Sequence, residues 1–174
     1  SPWCWPTGLV NVSLYIVVFW QAKLYADMGL QVVYVAVCIY GWWEWLHGGV
    51  GGGRLSVSRA PRRTLAALTV AGAAFAVFLG FALHRGTDAS LPFWDSTTTA
   101  YSLVAQWLQT KKQIETWWFW IAVDVVYIGV YAVKGLWLTA LLYAIFLVLC
   151  LVGLKEWKRS LATPRAEGPL PEAA

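Results

Sequence analysis

Residues 24–45 read LYADMGLQVVYVAVCIYGWWEW, and residues 136–157 read LWLTALLYAIFLVLCLVGLKEW. Laid over each other with a shift of 112 positions (24 to 136), Leu24-Tyr25 meets Leu136-Trp137, Leu30 meets Leu142, and Tyr34 meets Phe146. Cys38 meets Cys150, Gly41 meets Gly153, Glu44 meets Glu156, and Trp45 meets Trp157. Two apolar segments match easily. Co-registered Gly, Glu, Trp and Cys are harder to obtain by accident, so the pair reads as an internal repeat. With three residues of slippage, Trp3-x-Trp5 falls on Trp118-x-Trp120, which carries the repeat into the preceding segments.

The repeat sits in a chain built for lipid. Hydrophobic residues make up 59% of the 174 and charged residues 13%, against about 25% charged in a soluble domain. A span needs roughly 20 mostly apolar residues. Six segments qualify: 6–20, 26–46, 65–83, 93–109, 117–133 and 136–154. The fourth is the most polar, with Asp95, Ser96, Thr97, Thr98, Thr99, Ser102 and Gln106. It belongs inside a bundle, away from lipid. Asp95 is placed to cap its start.

The net charge of +4 is no nucleic-acid signal, because the cations sit in the breaks between spans. Ten of the 13 Lys and Arg fall on one side if the spans alternate: Arg54, Arg59, Arg62, Arg63, Lys111, Lys112, Lys155, Lys158, Arg159 and Arg165. Lys23, Arg85 and Lys134 fall on the other. The rule that cytoplasmic loops are rich in Lys and Arg then puts the tail, the Gly-rich 48–63 loop and the 110–116 loop in the cytoplasm. Residues 159–174, rich in Pro, Ala and Glu, read as a disordered cytoplasmic tail.

Spans one and two thus resemble spans five and six, and both copies cross in the same direction. Parallel repeats of this kind occur in carriers, with the solute site between them near the midplane. The expected organisation is a first repeat over 1–46, a cytoplasmic loop and linker helix over 47–92, and a second repeat over 93–158. The second repeat has three helices and the first shows two. A helix preceding Ser1 is therefore expected, making a 3+1+3 layout; a reading frame opening at Ser1 would overturn this.

Polar side chains in spans are costly, about 2.5–3.5 kcal/mol for an Asp at a helix centre, and so mark function or helix contacts. Asp124 lies well inside span five. Trp120, Asp124, Tyr127 and Tyr131 share one helical face. Span one offers Trp3, Thr7, Asn11 and Tyr15. Span two offers Gln31, Tyr34, Cys38 and Trp42, and span four offers Thr99, Ser102 and Gln106. Such a lining suits a flat, polar ring, including a cationic one that aromatic faces attract. Amides and hydroxyls suit sugar hydroxyls.

Plainer roles compete for several of these residues. Trp42, Trp43, Trp45, Trp94, Trp117, Trp118 and Trp157 stand near span ends, where tryptophan anchors to the interface. Asn11, Gln31 and Gln106 suit helix–helix hydrogen bonds. Glu44 and Glu156 read as solvated, and His47 and His84 as unrelated residues at opposite faces. Cys4, Cys38 and Cys150 lack metal or redox spacing and read as small apolar fillers. No GxxxxGK[ST] loop binds ATP phosphates. No nucleophile–base pair or metal cluster stands out, so a membrane-embedded enzyme is the weaker class and no cofactor is expected.

Several motifs carry a family resemblance. Gly8-Leu9-Val10-Asn11-Val12, Tyr40-Gly41-Trp42-Trp43-x-Trp45, Phe93-Trp94-Asp95-Ser96, Leu103-Val104-Ala105-Gln106, Lys111-Lys112 and Glu115-x-Trp117-x-x-Trp120 resemble the nicotinamide riboside transporters of the PnuC type. The resemblance covers roughly 3–46 and 93–157. It implies an all-α, seven-helix carrier related in architecture to the SWEET sugar carriers, of which six helices are visible here. It also implies facilitated diffusion of nicotinamide riboside across the bacterial inner membrane, the C-terminus cytoplasmic, with a cytoplasmic kinase trapping the product. The expected partners are the solute and the bilayer, with no nucleic acid; a homo-oligomer is compatible. Asn11, Trp120 and Gln106 match family positions. Thr116 and Asp124 stand where the family pattern has Asn. An acid at 124 suits a cation, the pyridinium of nicotinamide riboside or equally the thiazolium of thiamine. The expected substrate-binding set is Trp3, Asn11, Gln31, Tyr34, Trp42, Gln106, Thr116, Trp120, Asp124 and Tyr127.

Overall fold

The computed structural model describes residues 2–21, 25–86 and 92–162. They form six α-helices: α1 (Cys4–Gln21), α2 (Tyr25–His47), α3 (Arg62–Gly86), α4 (Pro92–Thr110), α5 (Thr116–Val133) and α6 (Trp137–Ala162). Each coincides with an expected span. No strand occurs among the described residues. Lys23, Leu24, Arg165 and the expected tail from 163 onward lie outside them. Residues 159–162 continue α6, so the helix runs past the point at which the tail was expected to begin.

Three helices, α3, α5 and α6, are long and apolar enough to cross a membrane by length and composition. Their outer faces expose Val70, Phe78, Val125, Leu138 and Leu149. Apolar surface on this scale suits lipid contact. The polar α4 is buried against α3 and α5 instead. Its hydroxyls are satisfied locally: Ser96 and Thr97 donate to Phe93 O, and Thr98 to Trp94 O. That removes the cost of placing them in a bundle. Asp95 lies within the first turn of α4, one turn too far in to cap it. Its charge there still faces the positive end of the helix dipole.

The helices pack in chain order, α1 on α2, α3 on α4, α4 on α5 and α5 on α6, with a thinner α2–α4 contact. α3 meets α4 through Gly72, Ala76 and Gly80, all buried. Cβ atoms at Gly72 and Gly80 would lie 3.2 and 2.6 Å from the side chains of Tyr101 and Phe93. This four-residue spacing of small side chains lets two backbones approach closely. α5 turns into α6 through Gly135, whose φ of +73° costs a residue without Cβ nothing.

At the opposite end, the 48–61 connection is tied to the α4–α5 turn. Ser58 N–H donates to Lys112 O, and Ile114 N–H donates to Ser58 O. Glu115 accepts from Ala60 N–H at 2.8 Å. Lys112 donates to Leu55 O at 2.6 Å and covers the Trp45 ring. Burial lowers the Lys112 pKa from the ordinary lysine value.

The core at this end is aromatic. Trp5 packs edge-on to Trp45, Trp45 contacts Trp157, and Trp157 meets Trp117 edge-on, at centroid distances of 5.5, 5.8 and 5.2 Å. Trp45 is only 3% exposed and donates its N–H to Gln109 O. Trp45, Trp117 and Trp157 are therefore packing residues and not interfacial anchors. Trp43, Trp94 and Trp118 do face outward. Glu44 is also not solvated: it pairs with Lys111 at 3.0 Å, and Lys111 donates to Tyr40 as well.

Candidate functional site

The repeat is visible in side-chain geometry. A Cβ on Gly41 would lie 2.3 Å from the Trp5 ring, and one on Gly153 would lie 2.2 Å from the Trp117 ring. Both indole N–H groups, Trp5 Nε1 and Trp117 Nε1, are buried without a hydrogen-bond partner among the described residues. Trp5 and Trp117 are thus equivalent, at the same 112-residue shift (5 to 117) as Gly41 and Gly153. The three-residue slip expected between spans one and five is therefore corrected. Helix packing against an equivalent glycine holds both copies in one register.

Two cavities adjoin these tryptophans. The first, of about 370 Å³, is bounded by α1 and α2 with α4, through Asn11, Gln31, Tyr34 and Gln106. The second, of about 460 Å³, is bounded by α5 and α6 through Trp120, Asp124, Tyr127 and Tyr143. Tyr34 and Gln109 line both. Each volume is that of a small-molecule site. Seven of the ten expected binding residues thus come together around two adjoining cavities.

The other three do not. Trp3 is 74% exposed, because the register of α1 turns Trp5 inward and Trp3 away. Trp42 is partly exposed and lines neither cavity; Gly41 and Trp45 take the inner face of α2. Thr116 is fully buried and donates to Ala105 O at 2.8 Å, holding the start of α5 against α4.

Asp124 is 4% exposed. Cys150 donates to its Oδ2 at 3.4 Å, so Cys150 does more than fill space, whereas Cys4 is exposed. Beyond Asp124, Tyr127, Tyr131 and Tyr143 form a cluster with centroids 4.6–5.6 Å apart. Gln109, outside the expected set, lines both cavities. Its Oε1 accepts from Trp120 Nε1 at 2.9 Å, which fixes the indole plane. The signal for it is its place one turn beyond Gln106, on the face that carries Ser102. Tyr143 and Cys150 are likewise lining residues outside that set, since α6 is apolar almost all round and its pattern marks no inner face.

A model of the nicotinamide mononucleotide transporter family matches residues 1–159. The chain belongs to that family. It is 29% identical over 178 aligned residues to the nicotinamide riboside transporter PnuC of Escherichia coli (strain K12), covering 88% of this chain and 74% of that one. It is 28% identical to the riboflavin/roseoflavin transporter RibM of Streptomyces davaonensis, covering 90% and 75%. A crystal structure of the vitamin B3 transporter PnuC superposes with a TM-score of 0.63 at 26% identity, over 91% of this chain and 72% of the other. The protein is therefore a multi-pass membrane protein of a transporter family, with that transporter's fold.

Proposed function

We propose that this protein carries nicotinamide riboside across the bacterial inner membrane by facilitated diffusion. Family membership supports transport without chemistry. The observation that carries the substrate reading is the pair of adjoining cavities, one richer in amides (Asn11, Gln31, Gln106 and Gln109) and the other richer in aromatic rings and holding the acid Asp124. A riboside has a polyhydroxyl end and a flat ring, and the two walls suit them respectively. The binding residues in this reading are Asn11, Gln31, Tyr34, Gln106, Gln109, Trp120, Asp124 and Tyr127.

The finer architecture belongs to the same proposal. Six helices cross the membrane, with α3 linking two like-oriented repeats in a 3+1+3, SWEET-like layout. The equivalent Trp5–Gly41 and Trp117–Gly153 contacts support this. The cation-rich 48–61 and 111–115 segments and the end of α6 face the cytoplasm. A cytoplasmic kinase would keep the gradient downhill by phosphorylating the riboside, and a homo-oligomer fits the exposed apolar faces.

Riboflavin is the second reading, because the RibM relative matches at nearly the same identity and coverage. Thiamine is a third solute, of suitable charge. Uptake of labelled nicotinamide riboside into proteoliposomes, with unlabelled riboflavin and thiamine as competitors, separates them. Saturable uptake that stops at equal concentrations and is blocked only by the riboside is expected. Block by riboflavin or thiamine would reassign the solute, and a chemically altered solute would move the protein to the enzyme class.

A further inference from the structure

The two cavities share a scaffold but not a chemistry. Under the 112-residue shift, Trp5 corresponds to Trp117, Cys38 to Cys150, Tyr15 to Tyr127 and Tyr34 to Phe146, and all eight line one cavity or the other. At the remaining positions the halves diverge. Gly8 corresponds to Trp120, Asn11 to Val123, Val12 to Asp124, and Gln31 to Tyr143. The α1–α2 wall is neutral and amide-bearing. The α5–α6 wall has exchanged its amides for ring faces and a carboxylate.

Asp124 is the one acidic side chain in the described lining of either cavity. It is almost fully buried, and its hydrogen-bond donor is a thiol, a weak one. Among the described residues no Lys, Arg or His pairs with it. A buried carboxylate accepts about four hydrogen bonds and is costly without a counter-charge. Trp120, Tyr127 and Tyr143 line the same cavity, and their faces attract cations more strongly when water is excluded.

We infer that the α5–α6 cavity is a cation-selective subsite, in which Asp124 and the faces of Trp120, Tyr127 and Tyr143 hold a positively charged aromatic ring while the amide wall takes its uncharged polar end. This rests on the reading of the solute as a riboside and adds that charge, more than shape, sets the preference. It separates a pyridinium riboside from the neutral isoalloxazine of riboflavin.

The benzamide C-riboside, in which carbon replaces the pyridinium nitrogen, keeps the ribose, the carboxamide and a flat aromatic ring and loses the charge. Equilibrium binding of this analogue and of nicotinamide riboside to the full-length protein in lipid nanodiscs gives a ratio of dissociation constants. The charged riboside is expected to bind about tenfold tighter, equivalent to ~1.4 kcal/mol. Asp124→Asn should bring the ratio close to one. Gln31→Leu, on the amide wall, should weaken binding of both ribosides by a common factor and leave the ratio in place. Equal binding of the two ribosides by the unaltered protein overturns charge selection, with no variant needed, and leaves the riboside reading standing. A ratio unchanged by Asp124→Asn removes Asp124 from the role, as does a Gln31→Leu effect on the ratio of the same size. Binding of neither compound overturns the riboside reading and, with it, the subsite.

Discussion

Trp120 is held by one hydrogen bond to Gln109 and presents its ring to the larger cavity. If the ring stacks on the solute, a smaller aromatic retains part of that contact. Trp120→Phe should weaken uptake severalfold, and Trp120→Ala by at least tenfold, since a stacking face contributes about 1–2 kcal/mol. Concentration-dependent uptake in proteoliposomes measures both, and the reverse order would remove Trp120 from the site. The polar–aromatic stripes make Asn11, Gln31, Tyr34, Gln106, Trp120, Asp124 and Tyr127 legible as cavity-lining residues, because polar groups in spans mark either function or helix contacts and so face the bundle interior. Trp3 and Trp42 are not separable from them by pattern. One residue of rotation decides which of two nearby tryptophans points inward, and only packing against Gly41 selects Trp5.

At the scale of helices, the Trp–Gly pairs make a sharp stability prediction. Gly41→Ala and Gly153→Ala each place a methyl 2.2–2.3 Å from a packed indole ring, that of Trp5 or of Trp117. Overpacking of this kind costs about 1–3 kcal/mol, so both variants should melt at lower temperature in detergent than the parent. Gly129→Ala is the control, because a Cβ there meets nothing within 4 Å. A Gly153→Ala protein as stable as the control would mean that α5 and α6 pack less closely.

The α2–α4 contact depends on Lys111. Hydrogen bonding to Tyr40 raises its pKa from the ordinary lysine value, against the opposing cost of burial, and Glu44 adds to the rise. A lysine whose folded pKa is raised contributes stability that is present in full below its unfolded pKa and is lost as pH rises through the folded one. The melting-temperature gap between the parent and Lys111→Met should therefore be constant at neutral and mildly alkaline pH. It should close only above the ordinary lysine range. A gap that closes near neutrality would assign the stabilisation to another group.

For the molecule as a whole, orientation is the property to test. In a Cys4→Ser background, where Cys38 and Cys150 are buried, single cysteines at Val50 and Val133 probe opposite ends. Both positions are open, at 90% and 85% exposure. A membrane-impermeant maleimide added to intact cells should label Val133→Cys, and should reach Val50→Cys only after the membrane is opened. The opposite pattern would invert the topology and labelling of both from outside would break it.

The number, order and approximate limits of the helices are legible in the chain itself. Apolar length and charged breaks are local properties, and lipid enforces both along the chain. The repeat is legible as well, through Cys38, Gly41, Glu44 and Trp45 and their counterparts. Its register in α1 and α5 is not, since Trp3-x-Trp5 aligns with more than one tryptophan pair and only the facing glycines discriminate. The packing of Trp45, Trp117 and Trp157 against one another, the pairing of Glu44 with Lys111, and Gln109 between two cavities all depend on contacts between distant segments. No periodicity within a single helix encodes which face a neighbour will cover. The chain's own pattern thus accounts for a bundle of helices with polar interiors. Packing across the repeat then divides that interior into two unlike cavities and leaves Asp124 buried in one of them.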